Sequence, residues 1–228
     1  YITLEMAEER IAERIDANLL DVTMEDLHDM PKQLYEGKIT KLREKTQGQL
    51  VIKEYPTASA HSGHFKSLMN ELALKKSFRP DVIFIDYLNI CASSRFKGGN
   101  ISSYFYVKAI AEELRGLAVE FNVPIFSATQ TTRTGYVSTD IGLEDTSESF
   151  GLPATADFMF ALISNEELEA LGQMKVKQLK NRYNDPSINR AFIIGVDRAK
   201  MRLYDVQQKA GDIVDANQVD EKEDAYNK

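Results

Sequence analysis

The sequence predicts an α/β fold with a mostly parallel central sheet flanked by helices and antiparallel strands added at one edge. Segments with apolar residues at helical spacing alternate along the chain with short apolar runs. Runs such as VIFI at residues 82–85 are continuously apolar, which is typical of strands buried in parallel sheets. After residue 172 strand-like segments follow one another with only turns between them, and this order favours antiparallel pairing.

The first half of the chain supplies strand and helix in turn. YITLE is predicted as a strand, and the next segment, MAEERIAERIDANLL, is an amphipathic helix because apolar residues recur on one face. A second helix follows Pro31, and LVIKEY is a short strand that ends at Pro56. The apolar stripe Phe65, Leu68, Met69 and Leu72 predicts a helix that runs to Arg79, and VIFID is the strand after it.

The second half begins with a polar loop, CASSRFKGGNIS, and a long helix with Ser102 or Ser103 at its N-cap. That helix has apolar residues at helical spacing: Val107, Ile110, Ala111, Leu114, Leu117, Ala118 and Phe121. VPIFSATQ and FMFALI are predicted strands separated by a Gly- and Thr-rich loop and LEDTSESFGLPATAD. MKVKQLKNR, AFIIGV and MRLYDV complete the predicted strands.

Composition limits the class of protein. The 228 residues are 43% hydrophobic, enough for one large domain, and the net charge of −7 argues against a uniformly basic coat for nucleic acid. Cys91 is the single cysteine, so no internal disulfide can form, and no apolar run approaches the ~20 residues of a membrane span. These features predict a soluble cytoplasmic protein with no membrane association. The predicted domain covers residues 1–208, followed by an acidic tail at 209–228 that is either disordered or a docking segment.

Three apolar runs end in a polar residue where a parallel sheet binds ligands: Glu5, Asp86 and Gln130. An acid at the end of a strand can hold phosphate-bound Mg²⁺, directly or through water. Nucleotide hydrolysis needs such a metal acid, a second carboxylate that positions water, and a polar sensor near the terminal phosphate. Taken singly, each of the three residues is equally well explained as the N-cap of the next segment. Together they favour a nucleotide site.

Several blocks resemble a known family: YITLEM with AEERIAERIDANLLDV, VIFIDYLNI, VKAIAEELRGLAVE, SATQ, ESFGLPATADFMFALI and LKNRYND. In this order, over residues 1–206, they are similar to the RecA-like motor domain of DnaB-type hexameric replicative DNA helicases, and closest to phage-encoded members. The resemblance implies an ATPase that uses Mg²⁺, works as a hexameric ring on single-stranded DNA, and has a primase and a helicase loader as partners.

The resemblance also implies a role for each site residue. Glu5 resembles the glutamate that activates water, Asp86 the Walker B aspartate that holds Mg²⁺ through water, and Gln130 the γ-phosphate sensor. Lys180 and Arg182 resemble the basic pair inserted into the neighbouring subunit's ATP site, where an arginine can stabilise phosphate charge. Without the resemblance, the residues favour a solvated basic strand edge that discourages aggregation, and it is the resemblance that favours the role at the neighbouring subunit.

A phosphate-binding loop, G-x-x-x-x-G-K-[ST], is absent from the sequence. Around Gly37 and Lys38 the first glycine is replaced by Lys32 and the hydroxyl residue by Ile39. In the family this loop precedes the LEM strand, so we expect it before Tyr1 and expect the 228 residues alone to hydrolyse essentially no ATP. The alternatives are a RecA-like module without a phosphate loop that serves as a non-catalytic assembly partner, or a RecA-like recombinase ATPase.

Candidate DNA contacts are basic residues in two loops. Arg95 and Lys97 lie in the first loop and Arg133 in the second, although such residues also serve solubility alone. Bacterial relatives carry a basic residue in the block matched by DTSES, where this chain has Ser147. His61 and His64 form an H-x-x-H without a further ligand at zinc spacing, and G-x-S-x-G is absent, so neither a zinc site nor a serine hydrolase is predicted.

Overall fold

A four-stranded parallel sheet forms the first half of the fold. The computed structural model describes residues 1–96, 101–131, 142–143, 151–185 and 188–207. The strands are β1 (Ile2–Thr3), β2 (Lys53–Glu54), β3 (Ile83–Asp86) and β4 (Ile125–Ser127), in the spatial order β2-β1-β3-β4. Every neighbouring pair is parallel, so all four carboxyl ends lie at one edge of the sheet.

Helices connect these strands: α1 (Glu8–Leu20), α2 (Met24–Asp29), α3 (Lys32–Lys45), α4 (Ser62–Lys76) and α5 (Ser103–Phe121). The core lies where α4 and α5 cover one face of the sheet. It joins Ile83 and Ile85 of β3 to Phe65 of α4 and to Ile110 and Leu114 of α5. Cys91 belongs to this core and is 2% exposed, as expected for a small apolar side chain.

The opposite face of the parallel sheet carries a row of aromatic rings. Tyr1 stacks on Phe84 with a centroid distance of 6.3 Å, and Phe84 stacks on Phe126 at 5.3 Å. The side chains of Phe84 and Phe126 are 43% and 46% exposed. Alternate residues of β3 therefore point to opposite faces, with Ile83 and Ile85 on the face that the helices cover and Phe84 on the face that is partly exposed to solvent.

The second half of the fold is an antiparallel sheet. Its strands are β5 (Phe158–Ile163), β6 (Gln173–Asn181), β7 (Ala191–Asp197) and β8 (Arg202–Asp205), in that spatial order. Short helices α6 (Gly151–Thr155) and α7 (Glu166–Ala170) precede and follow β5. The predicted α/β class with parallel and antiparallel strands is confirmed. In the part of the chain that is described, the antiparallel strands pair with one another and form a sheet of their own.

Several contacts join the halves, among them one at α6 and one at the end of α1. Leu152 of α6 is buried in the core beneath α5. At the other contact, the carboxylate of Asp21 at the end of α1 binds Lys200 at 3.1 Å and Arg202 at 2.9 Å. The tight turn between β7 and β8 is thus tied to the first helix. The predicted tail at 209–228 lies outside the described residues.

Helix caps account for two helices that the sequence reasoning did not predict. Thr23 accepts a hydrogen bond from the backbone N–H of Asp26 at 3.0 Å and donates to its carboxylate at 2.7 Å, which starts α2. Asn165 accepts from the N–H of Leu168 at 2.8 Å and starts α7. Both helices are only one to two turns long, so helical periodicity cannot reveal them.

His61 and His64 form the N-cap of α4. Nδ1 of His61 accepts from the N–H of Gly63 at 3.0 Å, and Nδ1 of His64 accepts from the N–H of His61 at 3.2 Å. The H-x-x-H spacing therefore serves helix capping, with the side chain of each histidine satisfying a backbone donor at the helix start. Among the described residues, no helix is long and apolar enough to cross a membrane.

Candidate functional site

The carboxyl ends of β1, β3 and β4 meet at one edge of the parallel sheet. Thr3 of β1 pairs with Asp86, the last residue of β3, and the N–H of Leu4 donates to the carbonyl of Asp86 at 2.9 Å. β4 runs beside β3 in the same direction. Because Glu5 follows β1 and Gln130 follows β4, the fold brings the predicted residues Glu5, Asp86 and Gln130 to one rim.

The carboxylate of Asp86 has one hydrogen-bond partner among the described residues, and the residue is half-buried. The hydroxyl of Tyr1 donates to its Oδ2 at 2.6 Å. Burial, together with the hydrogen bond and negative charge of Asp86, raises the pKa of Tyr1 above its ordinary value. The tyrosine therefore stays protonated and orients the carboxylate, which leaves Oδ1 without a described protein partner.

Gln130 and Glu5 lie on either side of Asp86 at the sheet edge. Nε2 of Gln130 donates to the hydroxyl of Tyr87 at 3.0 Å, so its side chain is linked to the residue that follows Asp86. Glu5 is exposed, and within the described ranges no hydrogen bond or ion pair engages its carboxylate. The rim therefore presents one carboxylate that is held in place and a second that is free to bind water.

The donor set at this rim fits Mg²⁺ bound mainly by phosphate and water. No group of three or more His, Cys, Asp or Glu that could hold a metal ion occurs in the described part of the chain. Mg²⁺ in nucleotide enzymes is usually held by one or two carboxylates together with substrate phosphates and several waters. A single oriented carboxylate at Asp86 suits that mode of binding.

Lys180 and Arg182 lie at the end of β6 and bind groups of their own chain. Nζ of Lys180 donates to the carbonyl of Pro153 at 2.6 Å, in α6. The guanidinium of Arg182 binds Asp157 at 2.9 Å, and Asp157 also binds Arg115 of α5 at 2.8 Å. No described contact joins Lys180 or Arg182 to the rim of β1, β3 and β4.

The pKa of Asp157 makes this cluster sensitive to acid. Burial raises the pKa, but the hydrogen bonds and positive charges of Arg115 and Arg182 outweigh it and hold the pKa below its ordinary value. A carboxyl group whose pKa is lower in the folded state stabilises the fold above its unfolded pKa of about 3.9. That stabilisation is lost as the pH falls through the folded value.

Substitution Asp157→Asn is therefore expected to lower the free energy of unfolding at pH 7 by about 1 kcal/mol, the scale of a partly exposed ion pair. The difference between the variant and the unchanged protein should begin to shrink near about pH 4, where the carboxyl of the unfolded chain takes up a proton, and should vanish once the pH falls below the lower pKa of the folded state. Urea unfolding from pH 7 to pH 3 measures both. Glu13→Gln, which removes an exposed helix pair with Arg10, serves as the control and should change stability little. A difference that is independent of pH would contradict the assignment.

Arg95, the first predicted DNA contact, follows the polar segment after β3. Its guanidinium binds Glu112 of α5 at 2.5 Å, with the two side chains 51% and 38% exposed. It lines a groove of about 520 Å³ together with Phe96, Phe105 and Lys108. Lys97 and Arg133, the other predicted contacts, and Ser147 lie outside the described residues.

Four residues that bind the predicted ones were not expected from the sequence: Tyr1, Tyr87, Asp157 and Glu113, the last of which accepts from the backbone N–H of Arg95 at 3.3 Å. One of them left a signal in the sequence, because Glu113 is an acid at a position of the apolar stripe of α5, between Ile110 and Leu117. The hydroxyls of Tyr1 and Tyr87 gave none, since tyrosine at the start or end of an apolar strand is common.

Comparison with known proteins places the chain in a family. A model of the DnaB-like helicase C-terminal domain matches residues 1–202. The chain is 44% identical to the DnaB-like replicative helicase of Enterobacteria phage T4, over 99% of this chain and 49% of that protein. It is 34% identical to a probable plasmid replicative DNA helicase of Chlamydia trachomatis serovar L2, over 58% of this chain and 28% of that protein. The chain thus spans half or less of the length of these relatives.

Solved structures show the same fold. One of them, an ATPase domain, superposes with a TM-score of 0.72 at 16% identity, covering 90% of this chain and 73% of that one. A DnaB-like replicative helicase, studied with its interactions with primase, gives a TM-score of 0.71 at 16% identity, covering 90% and 50%. The predicted RecA-like fold is confirmed. With the sequence match over residues 1–202, the chain belongs to the DnaB-like helicase C-terminal domain family.

Proposed function

We propose that this chain is the motor portion of an ATP-dependent replicative DNA helicase, which couples ATP hydrolysis at subunit interfaces to movement on single-stranded DNA and to unwinding of the duplex. The observation that carries this proposal is the meeting of Glu5, Asp86 and Gln130 at one rim of a parallel sheet. In open α/β sheets this edge is where ligands bind. The family and the likeness to phage T4's replicative helicase support the same assignment.

In this proposal Glu5 is the general base. It accepts a proton from a water whose oxygen attacks the γ-phosphorus, while the bond between that phosphorus and the oxygen of ADP breaks. Asp86 would hold Mg²⁺ through a water molecule, and the ion would supply positive charge for the phosphate oxygens. The side-chain amide of Gln130 would bind the γ-phosphate, and departure of that phosphate would change its hydrogen bond to the hydroxyl of Tyr87.

Lys180 and Arg182 would act in the neighbouring subunit. Their present partners support this, because Arg182 is 51% exposed in its pair with Asp157, and such surface pairs contribute at most about 1 kcal/mol. Hydrogen bonds between a guanidinium and phosphate are stronger than neutral ones. The phosphate of an adjoining subunit could therefore replace Asp157 as the partner of Arg182.

The proposed partners are single-stranded DNA, further copies of the same chain in a hexameric ring, a primase and a helicase loader, with the protein acting in the cytoplasm of the host cell. The relative of known structure that was studied with primase supports the primase assignment. Arg95, Lys97 and Arg133 are the proposed contacts to DNA phosphates, which carry affinity without sequence specificity.

We further propose that residues 1–208 form only part of the ATPase domain, with the acidic residues 209–228 as a separate tail. The motif G-x-x-x-x-G-K-[ST] does not occur in the 228 residues, and the chain spans 49% of the phage T4 relative. The natural protein would then carry its phosphate-binding loop in sequence outside these residues.

The purified 228-residue chain is expected to bind ATP weakly and to hydrolyse essentially none, because it lacks a loop whose backbone N–H groups and lysine cradle the phosphates. Phosphate release with Mg²⁺ and single-stranded DNA measures this. The matched comparison is the full natural protein, prepared in the same way, which should turn over ATP. Measurable turnover by the 228 residues themselves would contradict the prediction.

The absence of the phosphate-loop motif also favours a second candidate, a RecA-like module that acts as a non-catalytic assembly partner. A RecA-like recombinase ATPase is less well supported, since the family match is to helicases. The coding sequence around these residues separates the first two functions. A phosphate loop in the same reading frame supports the motor, and a full natural protein without one supports the assembly module.

A further inference from the structure

The carboxylate of Glu113 accepts hydrogen bonds from several donors in the segment that follows β3 and at the start of α4. It lies on the core side of α5, and only 9% of the residue is exposed. Its two oxygens accept from the hydroxyls of Ser62, Ser93 and Ser94 at 2.9, 2.6 and 2.7 Å. They also accept from the backbone N–H groups of Ser94 and Arg95, at distances between 2.9 and 3.3 Å.

The donors keep this carboxylate ionised. Burial raises the pKa of Glu113, but the hydrogen bonds from the three serines together outweigh it and hold the pKa below its ordinary value. Burying a charged group is costly unless hydrogen bonds satisfy it. The segment that supplies these donors is therefore held firmly in the position where all of them reach one side chain.

That segment leads from the nucleotide rim to Arg95. It leaves β3 at Asp86, passes the single turn at residues 88–90, and reaches Glu113 at residues 93–95. A backbone hydrogen bond from the N–H of Ala92 to the carbonyl of Ala60, at 2.7 Å, ties it to the start of α4 as well. Glu113 thus joins α4, α5 and the residues after β3 at one point.

Two successive glutamates hold Arg95 in different ways. Glu113 binds its backbone N–H in a buried cluster, whereas Glu112 binds its guanidinium in an exposed pair. Exposed ion pairs contribute little to stability, so a phosphate can displace Glu112 without disturbing the fold. The backbone of Arg95 stays fixed by Glu113 while its side chain is free to change partner.

We propose that Glu113 is a positioning residue for single-stranded DNA, because it fixes the backbone from which Arg95 exchanges Glu112 for a DNA phosphate. The inference rests on the proposed function and deepens it. The ligand is the sugar-phosphate backbone of a single strand, with no sequence preference.

The test uses the full natural protein and measures DNA-stimulated ATP hydrolysis at increasing concentrations of oligothymidylate. Glu113→Gln keeps the shape of the side chain but cannot accept from all of its donors. The DNA concentration that gives half-maximal stimulation is expected to rise about tenfold, the scale of one lost hydrogen bond to a charged group. The KM for ATP should be retained, which a general loss of structure would not allow.

Glu112→Gln is the matched control, since it removes the neighbouring acid from the same helix. It should lower the half-saturating DNA concentration, because the guanidinium of Arg95 loses a competing carboxylate. In an Arg95→Ala background, Glu113→Gln should have no additional effect. If Glu113→Gln folds poorly, Ser94→Ala takes its place, because it removes one donor and should shift the DNA concentration in the same direction.

The proposal is overturned if Glu113→Gln and Ser94→Ala leave the half-saturating DNA concentration unchanged. It is also overturned if Glu113→Gln raises the half-saturating DNA concentration by the same factor in the Arg95→Ala background as in the unchanged protein. The same holds if Glu112→Gln raises that concentration as much as Glu113→Gln does. If the proposed helicase function itself is wrong, the outcome differs, because DNA would then not stimulate ATP hydrolysis even by the unchanged protein.

Discussion

Replacing Asp86 by alanine in the full natural protein is expected to lower the kcat of Mg²⁺-dependent ATP hydrolysis by about a thousandfold. A catalytic metal ion contributes several kcal/mol of charge stabilisation, and each 1.36 kcal/mol is roughly a factor of ten in rate. Asp86 is the carboxylate at the end of β3 that Tyr1 orients, so its loss removes the proposed metal contact. Phosphate release at saturating ATP and varied Mg²⁺ measures the change.

Asp81→Ala is the matched control for this variant. Asp81 is an exposed acid just before the same strand, at the opposite end from Asp86, so its loss should leave turnover intact. Thermal unfolding should show that both variants fold. Full activity in Asp86→Ala would refute the assignment of this residue as the metal acid.

Replacing Arg182 by alanine is expected to lower kcat by about 10³-fold or more, the range observed for arginine fingers. The guanidinium would stabilise charge on the transferred phosphoryl group of a neighbouring subunit, so the KM for ATP should change less than kcat. Arg198→Ala is the control, because Arg198 is another exposed arginine of the antiparallel half, paired with Glu169. It should leave turnover unchanged.

Mixing subunits tests whether Arg182 acts across an interface. If Arg182 acts across an interface, oligomers that mix Asp86→Ala and Arg182→Ala subunits would contain some interfaces with both residues intact. Such mixed oligomers are expected to recover part of the activity that each variant lacks alone. Absence of any recovery in confirmed mixed oligomers would contradict a role of Arg182 at the neighbouring subunit.

The sequence predicted the parallel strands and the rim because both follow from local pattern. Continuous apolar runs identified β3 and β4, and the rule that parallel strands end at one edge brought Glu5, Asp86 and Gln130 together. Helices α1, α4 and α5 were predicted from their apolar spacing. The roles assigned to the rim residues stay predictions until the substitutions are made.

The partners of these side chains could not be predicted, because they come from distant parts of the chain. Tyr1 reaches Asp86 across 85 positions, and Arg182 reaches Asp157 across 25. No pattern of spacing along the sequence encodes such a pair. The contacts of Lys180 with Pro153 and of Arg182 with Asp157 could not be predicted for the same reason.

The row of rings formed by Tyr1, Phe84 and Phe126 affects how readily the protein associates with itself in solution. Among the described strands of the 228 residues, β4 pairs only with β3, so in this chain taken by itself the outer edge of β4 lies beside half-exposed aromatic rings. An exposed strand edge next to an apolar patch favours self-association, so we expect the purified 228 residues to associate at high concentration. A polar substitution such as Phe126→Ser is therefore expected to reduce light scattering at high protein concentration, while changing the melting temperature less.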